Sequence, residues 1–472
     1  MKNHGPGNAS SAQILSDLWT GAGGDPAALA GVTLTGDDPA LPSSFRVGTA
    51  AQVTIAAAGL AAAEIHRQRG GRPQTIAVDM RHAGVEFRSE RYMRVAGKPP
   101  GSPWDKIAGV YRTGDGRYVR LHTNFPHHRD GMLKLLACSY DRDAVQAALA
   151  KWEGEKFETS AAEAGLVATM MRSRAEWAAH PQGHAVAQLP LLEIGKIGEA
   201  PPRALPAAGE RPLSGIRVAD LTRVIAGPVC GRTLAAHGAD VMRITAPHLP
   251  GMPLLDIDTG RGKLSASLDL RADEERERLA ALLREAHVFV QGYRPGGLAK
   301  LGFSPAACAE IRPGIVAVTL SAYGHAGPWA PRRGFDSLVQ NASGLNHAEA
   351  EAAGIASGPR ELPAQALDHA SGYLMAFGAM MALARKAREG GSWHVRVSLA
   401  QTGHWFAGLG RLENGFACPD PKSADIADLL DEVDTPLGRM TFVRHAARLS
   451  GTPAYWARPP APLGTHAPVW PI

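Results

Sequence analysis

The chain has 472 residues, of which 45% are hydrophobic and 20% are charged. This composition supplies enough apolar surface for a large core and excludes a disordered or fibrous protein. The 50 Lys and Arg residues exceed the 45 Asp and Glu residues by a net charge of +5, and no run of five basic residues occurs. A nucleic-acid partner is therefore not predicted.

The N-terminal half is predicted to hold a helical arm and a small domain. A helix is expected over residues 50–69, followed by a turn and a short strand. Residues 110–123 alternate apolar and polar side chains around a Gly-Asp-Gly turn, which predicts a β-hairpin. Amphipathic helical segments are expected at 142–152 and 160–171. We therefore expect an arm over residues 1–95 and a small α+β domain over residues 96–200.

A Pro-rich linker, predicted over residues 201–212, precedes a regular alternation of strands and helices. Such alternation is typical of a doubly wound, mostly parallel sheet. The predicted fold class is α/β, with a Rossmann-like domain over residues 213–415 and a tail over residues 416–472 that returns to it. Strands are expected at 216–221, 239–244, 287–291 and 314–320, with helices at 228–236, 272–285 and 305–310.

The cysteines and the first residues predict a cytoplasmic location. The four cysteines lie far apart without a C-x-x-C pair, which is typical of reduced thiols. The start, MKNHGPGNASSAQ, lacks the apolar segment of a signal peptide. The longest apolar stretch, at residues 50–65, is expected to be too short to span a bilayer, so no membrane association is predicted.

Several catalytic motifs do not occur in the sequence. It contains no G-x-x-x-x-G-K-[ST], no G-x-G-x-x-G after the first strand of the second half, no H-E-x-x-H and no G-x-S-x-G. NAD chemistry, ATP chemistry and a serine hydrolase are therefore less favoured, and no bound metal is expected. His122, His127 and His128 are interpreted as surface or turn residues.

Three Gly-rich loops each follow a predicted strand, and they are expected to meet at one edge of the sheet. Residues 224–228 (VIAGP) open a helix and leave backbone N–H groups free for an anion. Residues 292–296 (GYRPG) place an aromatic ring beside a guanidinium, a pair suited to adenine and phosphate. Residues 323–328 (YGHAGP) form the third loop.

Asp368 stands directly before a helix predicted over residues 369–388. An N-cap aspartate is common for structural reasons alone. Helix N–H groups are expected to stabilise its ionised form, since neutral pH lies above the ordinary Asp pKa of about 3.9. An ionised carboxylate at this position can act as a nucleophile toward an activated acyl group.

Five segments together resemble the class III CoA-transferases, a group that includes formyl-CoA and carnitine CoA-transferases and the related 2-methylacyl-CoA racemases. The resemblance covers most of residues 213–401, in order. The segments are LSGIRVADLTRVIAGPVCGRTLAAHGADVMRI, RGKLSASLDLR, VFVQGYRPGGLAKLGF, YGHAGPWAPRRGFDSLVQNASG, and ALDHASGYLMAFGAMMAL with VRVSLAQ.

The resemblance implies CoA transfer from an acyl-CoA to a carboxylic acid through aspartyl anhydride and aspartyl-CoA intermediates. Coenzyme A and acyl-CoA are then substrates, and no tightly bound cofactor is implied. Residue by residue, it implies Asp368 as the catalytic aspartate, Val224, Ile225 and Ala226 at the thiol end of CoA, Tyr293, Arg294, Lys300 and Leu301 at its nucleotide end, and Tyr323 near the aspartate.

Two alternatives remain open at this point. The racemase branch has a histidine before the aspartate of G-x-D, where this chain has Phe335, so racemase or isomerase chemistry is less favoured. A non-catalytic acyl-CoA-binding protein is the other alternative. It is suggested by the order of the domains, which is permuted relative to the family.

An internal repeat is also predicted. Residues 50–83 share an Ala-rich helix, a Gly-Gly turn and a short strand with residues 371–402, and Gly48 or Thr49 stands where the aspartate would be. Family members form interlocked homodimers. We expect this chain either to form such a homodimer or to fold its arm back onto itself.

Overall fold

The computed structural model describes residues 9–99, 101, 104–207 and 209–471. The helices in these residues are α1 (Ser11–Gly21), α2 (Val47–Gln68), α3 (Met80–Glu86), α4 (Ser89–Tyr92), α5 (Pro126–Leu136), α6 (Arg142–Leu149), α7 (Gly154–Glu163), α8 (Arg174–Ala179), α9 (Pro181–Ala187), α10 (Ala226–Ala236), α11 (Pro253–Gly260), α12 (Asp273–Glu285), α13 (Pro305–Ile311), α14 (Asp336–Ala342), α15 (Leu345–Ala352), α16 (Ala366–Glu389) and α17 (Leu399–Gly408). The strands are β1 (Val32–Thr35), β2 (Ile76–Asp79), β3 (Arg94–Val95), β4 (Gly109–Arg112), β5 (Tyr118–Leu121), β6 (Ala168–Met170), β7 (Glu193–Gly198), β8 (Arg217–Leu221), β9 (Asp240–Thr245), β10 (Lys263–Ser267), β11 (Val288–Gln291), β12 (Val316–Ser321), β13 (Ser392–Ser398), β14 (Leu430–Thr435), β15 (Gly438–Val443) and β16 (Arg448–Leu449).

A seven-stranded sheet forms the centre of the second half of the chain. Its order is β10-β9-β8-β11-β12-β13-β7, and the first six strands are parallel. The strands are rich in Val, Ile and Ala, as expected when helices cover both faces. The α/β class with a large, mostly parallel sheet is therefore confirmed. The seventh strand, β7, pairs antiparallel with β13, although it precedes the predicted linker.

The long helix α16 lies in the core between α2 and α10, and nearly all its residues are buried. Small side chains bring these helices close together. A Cβ added at Gly372 would lie 2.6 Å from the Ala226 carbonyl oxygen of α10, so glycine is required for this approach. This packing fixes the start of α16 beside the loop that precedes α10.

The N-terminal arm has the element order β1, α2, β2, α3, which is also the order of β12, α16, β13 and α17. In both sets the two strands are parallel neighbours. The tail contacts the arm, because β16 pairs with β2 and β15 pairs with β3. It also contacts the large sheet, since His466 Nδ1 accepts the Ser265 N–H at 3.0 Å.

The small domain is built on a three-stranded antiparallel sheet, β4-β5-β6. The predicted hairpin is confirmed by the β4–β5 pair. The helix predicted over residues 160–171 is wrong in its second half. The helix α7 ends at Glu163, Gly165 has a φ of +72°, and β6 then pairs with β5. Residues 168–170 therefore form a strand on the free edge of β5, although their sequence pattern predicted a helix.

In the part of the chain that the structure describes, one helix, α2, is long and apolar enough to cross a membrane by length and composition. It has 22 residues, so the expectation that this stretch is too short is wrong. The most apolar part of α2 is 94% buried inside the protein, among core helices. Packing in the protein core therefore explains why the side chains of α2 are apolar.

Candidate functional site

Asp368 lies in the first turn of α16, at the carboxyl end of the parallel strands. The expectation that it is the N-cap is wrong, because the helix begins at Ala366. The N–H groups of Leu367 and Asp368 donate to Oδ2 of Asp336, at 2.8 and 2.9 Å. Asp336 therefore accepts the free N–H groups of the helix start, and the Asp368 carboxyl does not.

The Asp368 carboxyl is 7% exposed and faces other acids. Among the described residues, none donates a hydrogen bond to it. Burial raises the pKa of Asp368 well above its ordinary value, and the negative charges of Asp336 and Glu90 raise it further. The expected stabilisation of the ionised form is therefore wrong. Once ionised, this carboxylate is a stronger base and nucleophile than an ordinary aspartate.

Glu90 comes to this site from α4, at the end of the N-terminal arm. Its Oε2 lies 3.2 Å from Nε2 of His369, and both side chains are buried. Phe87 stacks on the His369 ring with centroids 5.5 Å apart. Burial alone would raise the pKa of Glu90, but the hydrogen bond to His369 lowers it. Glu90 therefore brings a second negative charge to the site.

A first cavity of about 410 Å³ opens in front of Asp368, and we call it the acyl-side cavity. Its wall comes from several parts of the chain: the arm, the small domain and the large domain. More of its lining surface is apolar than polar. The lining residues include Glu90, Trp104, His122, Asn124, Val224, Ile225, Met252, Leu254, Leu255, Phe335, Gln365 and Asp368.

His122 stacks on Phe335, with ring centroids 3.7 Å apart and an angle of 9° between the rings. Its side chain and that of His128 are buried, so their interpretation as surface residues is wrong, whereas His127 is exposed. Burial lowers the pKa of His122 to about 3. A neutral imidazole from the small domain therefore lies beside the residue that replaces the racemase histidine.

A second cavity of about 350 Å³ lies on the other side of Asp368, and we call it the basic cavity. Asp368 is the one acid among its described lining residues. The wall carries four guanidinium groups, which give it a positive potential suited to phosphate groups. It also carries two imidazoles, whose pKa values are lowered by burial. These basic residues are Arg223, Arg294, Arg332, Arg333, His127 and His128.

Asp368, Val224 and Phe335 line both cavities. Val224 has a φ of +74°, in the left-handed region that a β-branched residue rarely adopts. Such a conformation costs about 1–3 kcal/mol and occurs mostly at functional sites. No side chain caps the start of α10 just after it. The backbone at residues 224–226 is therefore strained where the two cavities meet.

The structure brings some of the predicted site residues together and leaves others elsewhere. Ile225 lines the acyl-side cavity, and Ala226, Tyr293 and Arg294 line the basic cavity. Three predicted residues line neither cavity. Tyr323 is 1% exposed and packs on Trp329, Lys300 is exposed, and Leu301 packs against the core.

The prediction missed Glu90, the capping role of Asp336, and the basic residues Arg223, Arg332 and Arg333. Arg332 and Arg333 could have been identified from the sequence, because they stand directly before the Gly-Phe-Asp segment. No local sequence pattern indicated Glu90, since it lies 279 positions from its partner His369.

Comparisons with known proteins identify a family and several relatives to which the chain is similar. The family model described as CoA-transferase family III matches residues 213–414. An acyl-CoA transferase of Gibberella moniliformis is 29% identical over 418 residues, which are 79% of this chain and 73% of that protein. The probable fatty acyl-CoA transferase Rv3272 of Mycobacterium tuberculosis is 32% identical over 202 residues, which are 40% of this chain and half of that protein.

A crystal structure of Rv3272 in its orthorhombic form aligns with a TM-score of 0.48 at 23% identity, covering 55% of this chain and 99% of that chain. The matched residues 213–414 contain Asp368, the loop at Val224 and the loop with Tyr293 and Arg294. Residues 213–414 of the chain therefore match CoA-transferase family III, and relatives to which the chain is similar are named acyl-CoA transferases.

Proposed function

We propose that the protein transfers CoA from an acyl-CoA thioester to a carboxylic acid, with Asp368 as the nucleophile. The observation that carries this proposal is the position of Asp368 between a basic cavity and a more apolar one. A CoA-transferase must hold the polyanionic CoA and an acyl group on either side of the reacting carbonyl. The two cavities have the chemistry that these two parts require.

The basic cavity is the proposed site for CoA. The six parallel strands have the spatial order third, second, first, fourth, fifth, sixth, which is the order of Rossmann-like sheets. Ligands of such sheets bind at the carboxyl ends of the strands, where the order reverses. The loops after the first and fourth strands, at Val224 and Tyr293, lie at that point. This supports CoA phosphates near Arg294 and the thiol near Val224.

The proposed reaction begins when the Asp368 carboxylate attacks the thioester carbonyl. The C–S bond breaks, CoA leaves as a thiolate, and an aspartyl-acyl anhydride forms. The thiolate then attacks the Asp368 carbonyl of the anhydride, which gives aspartyl-CoA and releases the first acid. The acceptor carboxylate attacks the aspartyl-CoA carbonyl, the C–S bond breaks, and a second aspartyl-acyl anhydride forms. The freed thiolate then attacks the acceptor's carbonyl in that anhydride. This last step forms the new acyl-CoA and regenerates Asp368.

The surroundings of Asp368 support this role. The nearby charges of Asp336 and Glu90 make the Asp368 carboxylate more basic, and basic carboxylates are better nucleophiles. The same repulsion favours states in which Asp368 is acylated, because an anhydride or a thioester carries no charge. Binding energy from the CoA phosphates in the basic cavity can offset the repulsion between the attacking carboxylate and its neighbours.

The test is intact-protein mass spectrometry after incubation with a panel of acyl-CoA thioesters. The wild type is expected to gain the mass of CoA minus water, and hydroxylamine is expected to remove it. Asp368→Ala and Asp368→Asn should show no adduct. Asp130→Asn, at an exposed position on α5, is the control and should behave like the wild type. CoA binding without an adduct in the wild type would favour the non-catalytic alternative.

Acyl-CoA racemase or isomerase activity is a second candidate, and His122 is the observation that favours it. The ring stacks on Phe335 and lines the same cavity as Asp368. Its lowered pKa makes it a weak base, so this candidate is second. Deuterium incorporation at the α-carbon of a 2-methylacyl-CoA in heavy water, lost in His122→Asn, would replace the transferase proposal with this one.

The homodimer and the cytoplasmic location stay predictions. The packing of α2 on α16 supports the version in which the arm folds back onto its own chain. Sedimentation equilibrium measures the oligomeric state directly, and a monomer that retains the adduct would support that version.

A further inference from the structure

A third cavity lies at the amino end of the large sheet, at the opposite edge from Asp368. Its volume is about 180 Å³. The residues before β11 and β12 form its floor, the last turn of α16 forms one side, and the linker covers it. The lining consists of Pro201, Arg203, Ala204, Leu205, Pro206, His287, Arg312, Pro313, Gly314 and Lys386.

The cations of this cavity lack acidic partners. Lys386 is 7% exposed, yet among the described residues nothing forms a hydrogen bond or an ion pair with its Nζ. The guanidinium groups of Arg312, which is half-buried, and Arg203, which is exposed, also have no hydrogen-bond or ion-pair partner among the described residues. By contrast, the other buried lysine at this sheet, Lys263, lies 2.8 Å from Asp220. An unpaired buried ammonium is costly, so a compensating charge is expected.

The nearby positive charges also lower the pKa values of the groups in this cavity. Burial, together with the charges of Arg312 and Arg203, lowers the pKa of Lys386 to about 8. Burial lowers the pKa of His287 to about 3, again with help from Lys386 and Arg312. His287 Nδ1 accepts the Arg217 N–H at 3.0 Å, so its neutral ring carries the proton on Nε2. The cavity wall thus offers an ammonium, two guanidinium groups and an imidazole N–H.

We propose that this cavity binds a tetrahedral oxyanion of the phosphate class, either inorganic phosphate or the phosphate group of a small phosphomonoester. The four donors lack acceptors, and such an anion accepts several charge-assisted hydrogen bonds. The volume exceeds the ~30 Å³ that one water occupies in the liquid, so a phosphate group fits. The site is separate from the basic cavity because the two lie at opposite ends of the strands.

The linker that covers this cavity is itself held in place. Arg69, at the end of α2, donates from Nε to the Pro206 carbonyl at 2.9 Å and from Nη2 to the Ser214 carbonyl at 2.7 Å. The cover is therefore fixed before the anion binds, and little ordering is needed on binding. A ligand that binds the folded state alone raises its stability.

The test is thermal unfolding of the full chain with added sodium phosphate, glycerol phosphate or sodium sulfate, each compared with sodium chloride of equal ionic strength. The wild type is expected to show a saturable rise in Tm with phosphate. Lys386→Met and Arg312→Gln should bind phosphate about tenfold more weakly, since each loses one charge-assisted hydrogen bond. Arg271→Gln, at an exposed position that lines none of the three cavities, is the matched control and should keep the full rise.

The outcomes separate the sources of the anion. A rise with both phosphate and glycerol phosphate supports a phosphomonoester ligand, and a rise with phosphate alone supports inorganic phosphate. Equal rises in the wild type, Lys386→Met and Arg312→Gln, or no rise beyond that of sodium chloride, would overturn the proposal. Lys386→Met is expected to fold, because it removes an unpaired buried charge.

An amine-reactive label read by peptide mass spectrometry tests the same site without any substitution. At a pH near 8 much of Lys386 is neutral and reactive. Phosphate is expected to protect this lysine and to leave the exposed Lys300 unchanged. Equal labelling of Lys386 with and without phosphate would contradict the proposal.

Discussion

At the scale of single residues, the reactivity of Asp368 depends on the acids around it. The nucleophile must be ionised, and its pKa is raised, so adduct formation should increase as the pH rises through that raised pKa and decline below it. The Glu90 side chain contributes a negative charge, because its own pKa is lowered. Glu90, a residue of the N-terminal arm, therefore helps to set the pH at which Asp368 ionises.

Glu90→Gln is expected to shift the rising limb of the pH profile to lower pH, by on the order of one unit, because it removes one negative charge next to Asp368. The measurement is the initial rate of CoA-adduct formation between pH 5 and 9. Glu64→Gln, on α2 and paired with Arg67, is the control and should leave the profile unchanged. A profile that Glu90→Gln does not move would rule out this coupling.

At the scale of elements, the start of α16 depends on a carboxylate from α14. Asp336 accepts the N–H groups of Leu367 and Asp368. Asp336→Ala is expected to lower the free energy of unfolding by about 0.5–2 kcal/mol, as for other lost caps, and to abolish or slow adduct formation. Ser304→Ala, which removes the ordinary cap of α13, should cost similar stability without affecting the adduct. Urea unfolding and the adduct assay measure the two effects.

The elements were more predictable than the side chains that face the cavities. Alternation of strands and helices indicated the parallel sheet, and the Gly-rich loops that contain Val224, Tyr293 and Tyr323 were expected to meet at one edge of it. Whether a side chain points into a cavity depends on packing, so Tyr323 and Lys300 were assigned roles although neither lines a cavity. Glu90 could not be predicted, because tertiary contact between distant segments leaves no local pattern.

At the scale of the whole molecule, residues 213–414 form only part of a folded unit. They lack β7, which pairs with β13, and α2, which packs on α16 in the core. A fragment of residues 213–414 is therefore expected to expose a large apolar surface and to unfold without cooperativity. Circular dichroism during urea unfolding measures this.

Co-expression with a fragment of residues 9–212 should restore cooperative unfolding and the CoA adduct. Cooperative unfolding of residues 213–414 alone would show instead that this part of the chain folds independently. The domain boundaries at residues 95 and 200 stay predictions until this experiment is done.

The two ends of α16 reach opposite edges of the sheet, with Asp368 in its first turn and Lys386 in its last. A helix of this length spans about 36 Å at 1.5 Å per residue. Its neighbours enclose it almost completely, so Asp368 and Lys386 are held at a fixed separation by one closely packed helix. A shift of α16 along its axis would therefore move both side chains together, although they border opposite edges of the sheet.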